Sequence, residues 1–328
     1  MFNKYKKKIL ISIAFGAVVY LIFSVYADFD KLISAFGSFN WLWLPLILVL
    51  SFLNYIFRFF KWHYYLSLLE IKLSYKKSFL IFLSAFTMSV TPGKMGEVLK
   101  SYLLKEENDT PVSKSAPIIL GERLTDFVSI VILCLIGSYV FNYAQTLILI
   151  IGFVFLATIV LLSSRTFSMK IIGLFENINF LKKHIHKIHT AYDSIYILIK
   201  IKPLLIATII SLVSWSFECL GFYVVINVFS NSSGLEISIL SATFIYAFST
   251  LIGAIAMLPG GVGVTEASLT GLLVFSKIPK NLSVASTIMI RFATLWFAVL
   301  VGIVSIFIFQ KITDRKIENI RAEKSSDN

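Results

Sequence analysis

The stretches Pro92-Gly93-Lys94-Met95-Gly96-Glu97 and Pro259-Gly260-Gly261-Val262-Gly263-Val264-Thr265-Glu266 repeat one pattern in the two halves of the chain. Each follows an apolar segment, and an arginine embedded in apolar sequence comes later in each half, Arg123 and Arg291. Pro-Gly interrupts a helix, and lipid tolerates such an interruption only where protein or water satisfies the freed backbone groups. Paired interruptions in two halves of a membrane protein are typical of a binding site between inverted repeats.

Composition places the chain in the membrane. It has 328 residues, of which 57% are hydrophobic and only 15% charged, and this excludes an ordinary soluble domain. The apolar stretches are 9–27, 41–60, 78–91, 115–142, 145–163, 203–229, 237–258, 264–276 and 283–310. The stretches 78–91 and 264–276 are shorter than the roughly twenty residues that span a bilayer. We therefore predict a single all-α domain over 1–328, a polytopic membrane helix bundle with two broken, re-entrant helical hairpins.

The basic residues predict the orientation. Lys31, Lys277 and Lys280 fall on one side of the predicted spans, while Arg123 and Arg291 fall within them. The other Lys and Arg residues lie on the opposite side, in the N-terminus, the 58–77 and 94–114 regions, the 165–202 loop and the C-terminal tail. The positive-inside rule then puts both termini in the cytoplasm of a cell (plasma) membrane protein. This topology explains the net charge of +12, so we expect no nucleic-acid partner.

The same sorting of basic residues by side of the membrane predicts an inverted internal repeat. The first hairpin enters from the cytoplasm and breaks at Pro92, whereas the second enters from outside and breaks at Pro259. The repeat-like halves are about 41–142 and 203–310. The alternative, in which 237–258 crosses the membrane completely, would remove this symmetry and stays open.

Two further segments can each be interpreted in two ways. Stretch 9–27 follows Lys4 to Lys8 and ends near Val25-Tyr26-Ala27, like a signal peptide, but its length favours a retained first helix. Segment 164–202 mixes basic and apolar residues and is typical of amphipathic helices lying on the cytoplasmic leaflet. Its three histidines lack the further ligands that a metal site needs, so no metal is predicted; they are His184, His186 and His189.

The breaks are the candidate binding site. A helix that resumes after Pro-Gly presents free N–H groups and the positive end of its dipole, which attract phosphate. Glycines leave the backbone accessible to a headgroup, and Lys94 adds an ammonium beside the first break. Glu97 and Glu266 either cap the two half-helices or titrate during transport. The candidate residues at the breaks are Pro92, Gly93, Lys94, Gly96, Glu97, Pro259, Gly260, Gly261, Gly263 and Glu266.

Charged residues within the spans complete the prediction. Glu122, Arg123 and Asp126 share one helix face and can pair. Arg291 has no charged neighbour in its own helix, so it needs Glu266 or an anionic ligand. Glu218 is a further intramembrane acid. These groups either bind substrate or hold helices together by ion pairs, and their depth favours a functional role.

The chain resembles the flippase-like integral membrane family named for the transmembrane region of lysylphosphatidylglycerol synthase. The matching stretches run through Asn54, Arg58 and Trp62, then cover 92–100, 122–126, 258–267 and 291–296. The resemblance implies a protein that handles lipids such as aminoacylated phosphatidylglycerol or polyprenyl-phosphate sugars. Relatives that aminoacylate lipids carry a soluble transferase domain, whereas this chain has a short charged tail after 310, so we do not expect that activity.

The sequence thus predicts a translocase for lipids with anionic headgroups. It contains no nucleotide-binding P-loop, and we expect no cofactor. One alternative is an intramembrane transferase that uses Glu97 or Glu266 as a base toward a lipid-linked donor. Another is a non-catalytic membrane partner of a glycosyltransferase or lipid synthase. The particular lipid, the coupling ion and the oligomeric state are not determined by these patterns.

Overall fold

A computed structural model describes residues 29–91, 96–138, 145–176, 185–231 and 234–326. Over these ranges the regular structure is helical and includes no β-strand, which confirms the all-α prediction. The predicted first span, 9–27, lies outside the described residues. The α-helices are α1 Phe29–Ser38, α2 Leu44–Leu68, α3 Tyr75–Ser84, α4 Leu99–Asn108, α5 Val112–Ser138, α6 Gln145–Ser163, α7 Arg165–Glu176, α8 Ile185–Leu198, α9 Ile201–Ser230, α10 Ile239–Ile255, α11 Val264–Phe275, α12 Lys280–Arg291 and α13 Phe297–Ser326.

Three helical stretches of the described chain are long and apolar enough to cross a membrane. They are Trp41–Leu68, Ile201–Ser230 and Lys280–Thr313. Two shorter apolar helices, Gln145–Leu161 and Ile239–Ile255, join them. Helix α6 shows its apolar side chains to the surroundings, with Phe153 74% exposed and Val160 67% exposed. Such a surface needs lipid rather than water around it.

Helices α3 and α4 form the first hairpin. Helix α3 passes into a 3-10 turn, Ala85–Met88, before the chain reverses beyond Thr91. At the base of the hairpin, Lys77 near the start of α3 pairs with Glu107 near the end of α4. Asn108 also donates to the Lys72 carbonyl at 3.2 Å. The chain therefore returns to the side from which it came.

Helices α10 and α11 form the second hairpin. Helix α10 ends after 17 residues, and the chain then passes through three glycines with positive φ: Gly260 (61°), Gly261 (67°) and Gly263 (93°). Such backbone angles favour glycine, since other residues adopt them at a cost. The two helices approach closely, because a Cβ on Gly253 would lie 2.0 Å from Thr265 Oγ1. The helix break predicted near Pro259 is therefore present.

The long helices of each half of the chain pack against elements of the other half. Helix α2 crosses α9, where Asn54 Nδ2 donates to both the carbonyl and the hydroxyl of Ser214, each at 2.9 Å. Helix α13 lies on the first hairpin, since a Cβ on Gly302 would lie 2.5 Å from the Thr87 nitrogen. Helix α5 lies on α10, since a Cβ on Gly137 would lie 2.7 Å from the Phe244 nitrogen. Each hairpin thus packs against a long helix from the other half.

The tips of the two hairpins meet. Val90 at the first break and Val262 at the second break are buried in one apolar cluster with Leu295 and Val299. A Cβ placed on Gly260 would lie 3.4 Å from Val90 Cγ1, which shows how close the two breaks are. The fold therefore brings together two breaks that the sequence separates widely.

Segment 164–202 contains two helices, α7 and α8, and a linker outside the described residues. Ile172, Tyr192 and Ile195 form an apolar cluster against which Leu124 of α5 packs. On the exposed side of the two helices, Arg165 and Asp193 form an ion pair at 3.3 Å. The predicted amphipathic pair is present, while its position on the cytoplasmic leaflet stays a prediction.

Candidate functional site

Glu97 is the centre of the first charged cluster. It lies in a 3-10 turn just before α4 begins, so it precedes the first helical turn in which it was predicted. Its carboxylate accepts a hydrogen bond from Arg123 Nη2 at 2.8 Å. Arg58 Nη2 and Lys100 Nζ each lie 3.8 Å from the same carboxylate. Glu97 is only 1% exposed, so these cations replace the water that a carboxylate otherwise requires.

Asp126 holds a second part of the cluster together. Lys61 Nζ on α2 lies 2.5 Å from Asp126 Oδ1, and Arg123 Nη1 lies 3.6 Å from Asp126 Oδ2. The predicted pairing of Arg123 with Asp126 along one helix face is therefore confirmed. Ser211 of α9 donates to Asp126 at 3.1 Å and accepts from Lys61 at 2.6 Å. Three long helices, α2, α5 and α9, thus share one buried polar centre.

Lys100 joins Glu122 to the cluster. Its ammonium lies 2.5 Å from Glu122 Oε2 and is 1% exposed. The same ammonium lies over two aromatic rings, 4.8 Å from the centre of Trp62 and 5.3 Å from that of Phe82. Cation–π attraction strengthens where water is excluded, so these rings help to fix the position of the buried ammonium.

The assignment of all cations in 58–77 and 94–114 to an aqueous face was wrong for three of them. Arg58, Lys61 and Lys100 are buried, because each faces a carboxylate inside the bundle rather than the cytoplasm. The sequence contains a pattern that indicates this burial for Arg58 and Lys61. Asn54, Arg58 and Lys61 stand at i, i+4 and i+7, which puts three polar side chains on one face of an otherwise apolar helix.

The first cluster carries an excess of positive charge. Among the described residues it contains four cations and three carboxylates, so with every group ionised its net charge is 4 − 3 = +1. The side chain of Arg123 is the most exposed of the cluster at 26%. Its Nε is buried and has no hydrogen-bond partner among the described atoms. Arg123 is therefore the group best placed to receive an external anion.

The second break holds a neutral pair. Arg291 Nε donates to Glu266 Oε1 at 2.7 Å, and Arg291 Nη2 donates to the Gly260 carbonyl at 2.6 Å. Glu266 Oε2 also accepts from the Gly263 nitrogen at 2.6 Å. The predicted contact of Arg291 with Glu266 is confirmed, and so is the capping role of Glu266. These bonds tie the break to the end of α12.

Beyond Arg291 the helix widens into a π-helical turn, Phe292–Trp296. Such turns occur often at functional sites. The carbonyl of Thr294 in this turn accepts a hydrogen bond from the Tyr55 hydroxyl of α2 at 2.8 Å. The intramembrane acid Glu218 lies on α9 and accepts from the Tyr246 hydroxyl at 2.6 Å. Buried polar groups therefore connect both halves of the fold.

The predicted glycines have different environments. A Cβ on Gly96 would lie 2.4 Å from Met88 Cβ, and one on Gly261 would lie 2.6 Å from Thr265 Oγ1. Both glycines therefore allow close packing, and their role in giving a headgroup access to the backbone stays a prediction. Gly263 has open space at its Cβ position among the described residues. Pro92, Gly93 and Lys94 lie outside the described residues.

Within the described ranges, no group of three or more His, Cys, Asp or Glu side chains is arranged to hold a metal. His186 and His189 lie on α8, and His184 is outside those ranges.

The geometry can be compared with known proteins. A family model described as the lysylphosphatidylglycerol synthase TM region matches residues 9–302, and the chain belongs to this family of membrane proteins. A UPF0104 membrane protein of Methanocaldococcus jannaschii is 25% identical over 226 residues, which cover 69% of this chain and 95% of the relative. A UPF0104 membrane protein of Pyrococcus horikoshii is 23% identical over 325 residues, which cover 90% of this chain and 95% of the relative.

Proposed function

We propose that this protein translocates lipids with a phosphate-bearing headgroup between the leaflets of the cell membrane. Aminoacyl-phospholipids and polyprenyl-phosphate sugars are the candidate substrates. The observation that carries the proposal is the buried cluster at the first break, whose described residues carry a net charge of +1, with the Arg123 side chain at its exposed edge. Unbalanced charge inside a membrane protein is costly, so an anion from the lipid would stabilise it.

An inverted repeat, which we propose together with this function, would place the two hairpins as transport requires. The halves 41–142 and 203–310 each contain a long helix, a hairpin and a helix that carries an arginine. In the first half the arginine pairs with a glutamate 26 residues earlier, and in the second half with one 25 residues earlier. The hairpins meet at their tips around Val90 and Val262, as expected of re-entrant hairpins that enter from opposite faces.

The tips suggest how transport proceeds. In this structure the apolar cluster of Val90, Val262, Leu295 and Val299 closes the space between the two breaks. A headgroup bound at Arg123 would pass this barrier when one repeat rocks against the other. The acyl or prenyl chains would stay in the lipid throughout. Any driving force would come from a gradient or from removal of the translocated lipid.

The ion pairs favour transport over an intramembrane transferase reaction. Glu97 and Glu266 are each bound to an arginine, at 2.8 and 2.7 Å. A carboxylate in such a pair reaches a substrate proton only after the pair opens. A transferase would also form product in detergent, whereas a translocase needs two compartments.

The test is headgroup translocation in sealed proteoliposomes. Fluorescent phosphatidylglycerol is placed in both leaflets, and a membrane-impermeant quencher reports the fraction that reaches the outer face. We expect Arg123→Ala to reduce the initial rate at least about tenfold, the effect of losing roughly 1.4 kcal/mol of stabilisation in the transition state. Arg165→Ala is the matched control, because Arg165 forms an exposed ion pair on α7.

Wild-type rates equal to those of empty vesicles, for both phosphatidylglycerol and a polyprenyl-phosphate sugar, would contradict the proposal. Equal loss of rate in the two arginine variants would refute the assignment of the site to Arg123.

A further inference from the structure

Three cations converge on one carboxylate that is not fixed in an exclusive pair. Glu97 receives Arg123 at 2.8 Å and has Arg58 and Lys100 at 3.8 Å. The other two carboxylates of the cluster have close lysine partners of their own, Asp126 with Lys61 and Glu122 with Lys100. The Glu97 carboxylate therefore occupies the place where an external anion would meet most positive charge.

The charges of the cluster select the kind of anion. Among the described residues, the cluster without Glu97 holds four cations and two carboxylates, a net charge of 4 − 2 = +2. A phosphodiester carries one negative charge and would restore the +1 of the resting cluster. A phosphomonoester carries close to two negative charges at neutral pH, so it would change the buried charge. A phosphodiester thus exchanges for Glu97 without altering the charge inside the bundle.

We propose that a phosphodiester monoanion displaces the Glu97 carboxylate from Arg123, Arg58 and Lys100, and that this exchange releases the start of α4. The ligand's lipid nature rests on the function proposed above. Arg123 lies at the edge of the cluster, where its side chain is 26% exposed, and its buried Nε has no hydrogen-bond partner among the described atoms.

At the second break, backbone contacts hold both the carboxylate and the guanidinium in place. Glu266 is bound to Arg291 and also to the Gly263 nitrogen of its own helix. Arg291 is bound in turn to the Gly260 carbonyl. The carboxylate and the guanidinium are therefore both tied to the second break, and the exchange is assigned to the first break alone.

Equilibrium binding to the purified full-length protein in detergent tests the exchange. The probe is dioctanoyl-phosphatidylglycerol, a short-chain phosphodiester lipid. We expect Glu97→Gln to bind it about tenfold more tightly than the wild type, because a site occupied by its own carboxylate reduces apparent affinity. The matched control is Glu106→Gln, which makes the same change at an exposed position of α4. We expect its affinity to equal that of the wild type.

Unchanged or weaker binding by Glu97→Gln would overturn the proposal. A second measurement uses the wild-type protein and does not depend on the folding of a variant. Hydrogen exchange of the backbone amides in 97–104 should become faster when phosphatidylglycerol is added and stay constant with dioctanoylglycerol, which has no phosphate. Slower or unchanged exchange with phosphatidylglycerol would also overturn it.

Two further probes separate the sources of the phosphodiester. Tighter binding of a citronellyl-phosphate hexose than of dioctanoyl-phosphatidylglycerol would assign the site to prenyl-linked sugars, and the reverse order to glycerophospholipids. A citronellyl monophosphate that binds better than both would overturn the charge argument. The two proposals fail in different experiments. If the lipid binds and displaces Glu97 but the wild-type protein moves no lipid in vesicles, the translocase proposal is wrong and the binding site remains.

Discussion

At the residue scale, Lys61 shows how the cluster is held together. It is 1% exposed, and its ammonium contacts Asp126 at 2.5 Å, Ser211 at 2.6 Å and Thr125 at 3.3 Å. An ammonium has three protons, so these contacts satisfy it fully. The lysine thereby joins α2 to both α5 and α9, and the exposed guanidinium of Arg123 is positioned by the Asp126 carboxylate that Lys61 also holds.

We expect Lys61→Met to destabilise the protein by about 3 kcal/mol, because removing one partner of a buried ion pair leaves the other charge uncompensated. The measurement is the apparent midpoint of thermal unfolding in detergent. Adding Asp126→Asn should recover part of the loss, since it removes the stranded charge. A double variant as unstable as the sum of the two single variants would show that the pair has no coupling.

At the scale of elements, two glycines set the helix crossings that place the hairpins. Gly302 of α13 faces Phe86 and Thr87 of the first hairpin, and Gly137 of α5 faces Phe244 of the second. In each case the partner atoms include backbone, which cannot move aside as a flexible side chain can. The long helices therefore fix the depth of both breaks through direct contact with the hairpin backbone.

Gly302→Ala should lower the unfolding midpoint and slow translocation. The new Cβ would lie 2.5 Å from the Thr87 nitrogen, and such overpacking costs about 1–3 kcal/mol. Gly271→Ala is the control, since no atom lies within 4 Å of a Cβ at that position of α11. The control should be unchanged or slightly more stable, because alanine favours a helix. An unchanged unfolding midpoint for Gly302→Ala would refute the close approach of α13 to the first hairpin.

At the scale of the whole molecule, the two hairpins should open to opposite sides of the membrane. The test uses single cysteines in a protein whose native cysteines, both buried, are replaced by serine. A membrane-impermeant maleimide should label Glu236→Cys and Lys280→Cys in intact cells. It should label Lys76→Cys and Lys105→Cys only after permeabilisation. Labelling of all four from one side would contradict the inverted repeat.

Much of the architecture was predictable from local patterns. Apolar length predicted the helices from 41 onward, and Pro-Gly predicted where α10 stops before Pro259. Spacing along α5 predicted the pairing of Arg123 with Asp126. The burial of Arg58, Lys61 and Lys100 was not predicted, because the positive-inside rule treats every cation near a span as a loop charge. Their carboxylate partners lie on other helices, so no local pattern reports the pairs.

The sequence by itself determined that this is an all-helical membrane protein with a break in each half, because hydrophobic length and Pro-Gly act locally on the chain. It also determined that each break has a glutamate and a later arginine. Only the tertiary structure decided which charges meet. In the part of the chain that the structure describes, packing α2, α5 and α9 together places four cations among three carboxylates at one break, while the other break holds a neutral pair. Ion pairs form across space, and their partners are therefore set by how helices cross.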